Sequence, residues 1–265
     1  MENLPPSNFH PVEMLLDQLV AWASATEWVD WLEVGGSLGR GAGDELSDID
    51  AGIGVVEDGR SISDRVVEAL SAARSFEPVA DSIVEDLNGR AHLIVVFADG
   101  RQLSLVVNPE SVRTGLPPES LARVDRSGRL TTALPASRWE PSVETAREWA
   151  FEAWIGVGDA ARHAIRGHHW RALRSLTEAR DLAWQLWAAR EGVAFPGFGL
   201  VSVENAGLAG PVGIDSTHPA SLAAAPILSA VQALAAILEN LTAGHDVAGV
   251  ARVVTARIRQ LRERL

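Results

Sequence analysis

The apolar pattern of this chain changes its period close to residue 139, and that change limits the folds open to it. Before that point, short apolar runs alternate with turn residues. Residues 28–34 and 49–56 read as strands, and 61–75 as a helix with Asp64 in a capping-box position. Residues 91–97 and 102–107 flank Ala98-Asp99-Gly100-Arg101, a hairpin signal. A helix is expected over 11–25, with Pro11 at its start. Beyond residue 139 the spacing is helical, over 142–166, 169–191, 220–242 and 247–264, with glycine-rich 195–213 as a loop among the helices. The expected class is α+β: a mixed β-sheet domain with flanking helices at 1–138, then a C-terminal α-helical bundle at 139–265. A length of 265 residues suits two domains.

Charge follows the same division. Residues 1–138 carry 22 acidic and 11 basic side chains, and residues 139–265 carry 13 and 12. All 23 basic residues are Arg, and the chain has no Lys, Cys or Tyr. Schiff bases, a phosphate-loop lysine, thiolate nucleophiles, thiolate metal sites and disulfides are thereby excluded. A formal charge of −12 gives no basic footprint for a phosphate backbone, so no nucleic-acid partner is expected. The N-terminal MENLPPSNFHPVEM has neither a basic nor an apolar signal region, and a cytoplasmic location is expected. Residues 216–238 are uncharged over a bilayer-spanning length. Their Ala, Pro, Ser and Gln content favours a buried bundle helix, so no membrane partner is expected.

The chemistry concentrates in GGSLGRGAGDELSDID, residues 35–50. A strand runs into a glycine pair, where the backbone can approach a ligand closely. Ser37 would open a short helix and offer a hydroxyl and backbone N–H groups to a phosphate. In Asp48-Ile49-Asp50, strand alternation sends both carboxylates to one face and Ile49 into the core. Two carboxylates side by side repel unless a cation lies between them, and Mg²⁺ with substrate phosphates is the usual occupant.

This segment resembles the signature of the DNA polymerase beta-type nucleotidyltransferase superfamily, and within it the bacterial aminoglycoside and lincosamide nucleotidyltransferases. RQLSLVVNP (101–109) resembles the later strand of that family, and 124–130 a linking segment. The resemblance implies Mg²⁺-dependent transfer of a nucleoside monophosphate, AMP from ATP, onto a hydroxyl of a small acceptor. Asp48 and Asp50 would be the catalytic metal ligands, and Gly36 and Ser37 would hold the β- and γ-phosphates. Arg40 would neutralise phosphate charge or pair with Asp44 or Glu45. Antibiotic resistance would be the role, with a cationic acceptor suited to the acidic first domain.

Family members carry a third carboxylate on the later strand, and alignment puts Ser104 there. A hydroxyl is a poorer base and Mg²⁺ ligand than a carboxylate. A base from elsewhere (Glu33, Glu85 or the helical domain), a slower enzyme, or a catalytically reduced nucleotide-binding or antitoxin-like protein all fit this exchange. In the second domain, RALRSLTEARDLAWQL (171–186) resembles the helix facing the active site in antibiotic nucleotidyltransferases. Arg180 is then a nucleotide-binding candidate, and Glu178 and Asp181 are candidates for the base or for an acceptor amine. Arg174–Glu178 equally fits surface i, i+4 pairing. Six of nine Trp fall after residue 138, where packing is the plain role and stacking on a sugar the alternative.

Overall fold

The structure, a computed structural model, describes residues 12–264; the helix start expected at Pro11 lies outside them. The chain divides into two compact units, Met1–Ala136 and Ser137–Leu265. The first has helix α1 (Val12–Ala25), strand β1 (Val29–Val34), the one-turn α2 (Gly36–Gly39), β2 (Ile49–Val55) and α3 (Ile62–Phe76). Strands β3 (Val79–Asp86), β4 (Ala91–Phe97), β5 (Gln102–Pro109) and β6 (Leu121–Asp125) complete it. They form one mixed sheet in the order β3-β4-β5-β2-β1-β6, in which only the central β2–β5 pair is parallel. The fold is α+β: a six-stranded sheet with flanking helices, followed by a helical unit.

Alternation along the strands gives the sheet two different faces. Ile49, Ala51, Ile53, Leu93, Val95, Leu103 and Leu105 point to a buried face, where α1 brings Leu15, Leu16 and Leu19 and α3 brings Val66, Ala69 and Ala73. The opposite face takes Glu33, Asp50, His92 and Ser104. Trp31 belongs to that second face and is fully buried, because Gly54 beside it has no side chain: a Cβ there would strike the indole. Its Nε1 donates to the Glu110 carbonyl at 3.0 Å.

The N-terminus of α3 is closed by the expected capping box. Asp64 N–H donates to Ser61 Oγ at 3.1 Å, and Asp64 Oδ2 accepts from the Ser61 hydroxyl and backbone. These bonds, that of the Ser61 hydroxyl first, hold the Asp64 carboxyl below the usual carboxylate range. A depressed folded pKa means the box stabilises above the unfolded value of about 3.9 and fades as pH falls through the folded one. Asp64→Asn is accordingly expected to lower the unfolding midpoint at pH 7, with the gap to wild type closing at about pH 2. A gap of equal size at both values would contradict this.

Segment 124–130 is a latch across the sheet edge as much as a linker. Arg126 donates to the Val29 carbonyl at 2.8 Å and the Ser24 carbonyl at 2.6 Å, and the Ser127 hydroxyl donates to Asp30 at 2.6 Å.

In the second unit, α4 (Val143–Ile165) and α5 (His169–Arg190) form a helical hairpin. After them come α6 (Leu200–Asn205), α7 (Ala224–Leu241) and α8 (Ala248–Arg262). The expected loop 195–213 therefore contains α6 and a 3₁₀ turn at Pro196–Phe198. Ala153, Ala160 and Ala164 of α4 meet Ala172, Ala179 and Ala183 of α5 in the core. Small residues let these helices cross closely: a Cβ on Gly156 would stand 3.0 Å from that of Ala179. Trp154 is fully buried and donates to Thr242 Oγ1 at 3.1 Å. Helix α7 is long and apolar enough to cross a membrane, and its Ile227, Val231, Leu234 and Leu238 lie in this core.

Candidate active site

The Gly35 N–H donates to the Asp50 carbonyl at 2.8 Å and pins the end of β1 to the start of β2. The chain enters α2 with φ +61° at Gly36, a left-handed conformation that favours glycine. A Cβ at Gly36 would also collide with the Asp50 carboxylate. The positive φ favours glycine here, and the turn lies directly against that carboxylate. At Gly39 a Cβ would run into the carbonyl oxygens of Val34 and Glu119.

The segment between α2 and β2 is held by its own side chains. Ser37 Oγ donates to Ser47 Oγ at 3.1 Å, and Ser47 Oγ donates to Asp44 Oδ1 at 3.1 Å. Asp44 N–H returns a bond to Ser47 Oγ at 2.9 Å. Holding a phosphate with the Ser37 hydroxyl would mean exchanging its bond to Ser47. Arg40 closes α2, its backbone N–H donating to the Gly36 carbonyl.

Asp48 immediately precedes β2 and Asp50 is its second residue; both are exposed, and Ile49 between them is fully buried. Partial desolvation of this largely exposed group, and after it the charge of Asp50, raise the Asp48 carboxyl above its ordinary range. Such a carboxylate gains from a neighbouring cation. Glu33, Gly35, Asp50, Gly52, Arg90, Ser104, Asn108 and Arg113 line a groove of about 410 Å³ over this end of the sheet.

The parallel register sets Ser104 directly opposite Asp50. Ser104 Oγ lies 2.8 Å from His92 Nε2, and His92 Nδ1 lies 3.3 Å from Glu85 Oε2. His92 was not singled out by the sequence reading, although the hairpin about residues 98–101 holds the signal. Its register pairs Ile94 with Ser104 and His92 with Val106, which makes His92 the same-face diagonal neighbour of Ser104. Of the alternative bases, Glu33 is buried and clamped: Arg113 Nε donates to both of its oxygens at 2.8 Å, and a third bond comes from Arg113 Nη2.

Arg180, Glu178 and Asp181 lie on α5, in the helical unit. Arg180 is half-buried and donates to the Thr217 carbonyl at 3.2 Å, tying a 3₁₀ turn to α5. Burial lowers its guanidinium pKa, against the charge of Asp181. Burial raises the Asp181 carboxyl, with Arg180 opposing and Glu178 adding to the rise. Glu178 pairs with Arg174 at 2.7 Å, the i, i+4 contact anticipated from spacing. Glu152, Asp159, Glu178 and Asp181 line an acidic groove of about 640 Å³ with Phe151 and Leu182.

No family model and no curated protein matches the chain. Among solved structures it is similar to an aminoglycoside 6-adenyltransferase from Bacillus subtilis, with 12% identity and a TM-score of 0.43, over 94% of this chain and 97% of that one. It is similar to a nucleotidyltransferase-like protein from Exiguobacterium sibiricum at 15% identity and a TM-score of 0.35, over 86% and 74% of the two chains. A third likeness, to a chain of a GLD-2/RNP-8 complex, has 15% identity and a TM-score of 0.26 over 68% and 44%.

Proposed function

We propose that this chain is a nucleotidyltransferase that moves a nucleoside monophosphate, AMP from ATP, onto a hydroxyl of a small cationic molecule and releases pyrophosphate. The observation that carries the reading is the Asp50 carboxylate, whose charge Asp48 feels, lying against a glycine turn whose bare Cα leaves it uncovered. Among the described residues no three His, Asp or Glu side chains gather as metal ligands. Two carboxylates suit an ion that fills its shell with water and phosphate oxygens, which is how Mg²⁺ binds beside nucleotides. Asp48 and Asp50 would hold it, and when bound it neutralises the charge that develops on the leaving pyrophosphate.

The remaining roles belong to the chain. The backbone at Gly36 and the Ser37 hydroxyl would seat the β- and γ-phosphates. Arg40 would offset phosphate charge, and with no lysine present any such side chain must be Arg. An acceptor hydroxyl would attack the α-phosphorus opposite the departing pyrophosphate. The acidic first unit favours an acceptor carrying amines, such as an aminoglycoside- or lincosamide-like antibiotic, and resistance would be the role. We place the protein in the cytoplasm, without nucleic-acid or membrane partners.

Ser104 opposite Asp50 favours a second reading, a catalytically reduced nucleotide-binding or regulatory protein. The two differ in one outcome: the second binds ATP without ever releasing pyrophosphate.

Gly36→Ala tests the site itself. The substitution adds roughly 1–2 kcal/mol of left-handed strain and pushes against Asp50. Affinity for ATP with Mg²⁺ is expected to fall, because the added methyl displaces the Asp50 carboxylate. Unchanged affinity in a folded Gly36→Ala protein would remove the site from this position.

A further inference from the structure

The open face of the sheet holds a hydroxyl, an imidazole and a carboxylate in a row. Ser104 on β5, His92 on β4 and Glu85 on β3 come from three adjacent strands, and Ser104 stands beside Asp50 on β2. Glu85 and His92 face each other in register, and His92 reaches Ser104 diagonally. An ionised Glu85 only accepts, so its 3.3 Å contact places a proton on Nδ1. In the neutral imidazole Nε2 is then the acceptor, and the Ser104 hydroxyl, 2.8 Å away, would donate to it. A hydroxyl bound to a base that a third group orients is the arrangement of an activated serine.

We propose that Ser104, His92 and Glu85 together serve as the general base of this site, in place of the third carboxylate. The inference rests on the nucleotidyl-transfer reading above and names the route of the proton. As the acceptor oxygen forms its bond to the α-phosphorus, the bond from that phosphorus to the β-phosphate oxygen breaks and its electron pair leaves on pyrophosphate. The acceptor proton passes to Ser104 Oγ while the proton of Ser104 passes to His92 Nε2. Glu85 at Nδ1 offsets the imidazolium charge. His92 is 22% exposed and Glu85 53%, so the proton then has a path to water. Ser104 is the catalytic residue of the three; His92 and Glu85 act through it. Arg90 and Arg113, which share the groove with Ser104 and Asp50, are the cations that line it, and Arg113 is held by Glu33.

The test is pyrophosphate release from ATP and Mg²⁺, with water and then a panel of aminoglycosides and lincosamides as acceptors. His92→Gln is expected to cut kcat by about a hundredfold, the usual yield of a positioned base, with the KM for ATP unchanged. In the Ser104→Asp background a carboxylate takes the proton directly, so His92→Gln should cost less than about twofold there. A structural role would cost the same in both backgrounds. The proposal is overturned if His92→Gln keeps wild-type kcat, if the loss persists in the Ser104→Asp background, or if wild type binds ATP but releases no pyrophosphate. If Asp50→Asn also turns over normally, the nucleotidyl-transfer reading itself has failed. Normal turnover by His92→Gln with none by Asp50→Asn sinks the relay alone.

Discussion

Asp50→Asn is expected to reduce pyrophosphate release by about a thousandfold, the roughly 4 kcal/mol that a metal-held charge clamp supplies, and to leave the unfolding midpoint where it was. The reason lies in how β2 divides its work. Fold stability comes from Ile49, Ala51 and Ile53 on the buried face and from the backbone bond between the Gly35 N–H and the Asp50 carbonyl, all of which the variant keeps. The Asp50 carboxylate is exposed and contributes its charge to the groove instead. Asn keeps the shape and one acceptor and removes the charge, so fold and chemistry separate at this position. Steady-state assays beside thermal melts read the two halves. Wild-type turnover in the variant would move the site away from β2.

The largest stability effect is expected at Arg113. Its guanidinium closes on both oxygens of Glu33, whose side chain is 7% exposed, and lies 5.8 Å over the Trp31 ring. Removing one partner of a buried pair strands the other charge, which costs about 3 kcal/mol or more. Arg113→Ala should therefore lose about 3 kcal/mol in denaturant melts, whereas Glu33→Gln with Arg113→Ala should lose clearly less, because no buried charge is left alone. Equal losses in the single and double variants would mean that the pair contributes packing and not charge balance.

The parts of this molecule that were legible in the sequence are those written in local spacing. Strand β4 falls on residues 91–97 as read, because burial alternates strictly along it. The capping box at Ser61 and Asp64 and the four long helices of the second unit were likewise readable from neighbours three or four residues apart. Strand β3 was missed for the opposite reason: it is an edge strand with little burial on either face, so VADSIVED has no alternation to read. Strand β6, the other edge, carries Leu121 and Val124 out of phase, and only its last two residues fall in the linking segment 124–130. In the site, Asp48, Asp50 and Gly36 stood out as a contiguous motif. The clamp between Glu33 and Arg113 spans 80 residues and has no local trace. The contact of His92 with Ser104 lies between these cases. It depends on the register of one hairpin, which the turn at 98–101 sets.

If Asp48 and Asp50 form a metal-dependent nucleotide site, calorimetric titration of ATP with and without Mg²⁺ reads it out. Wild type should bind ATP only when Mg²⁺ is present, and the Asp48→Asn/Asp50→Asn protein, equally folded, should lose that binding. Equal affinity in both proteins, or no binding of any nucleoside triphosphate by wild type, would mean that these carboxylates hold no nucleotide.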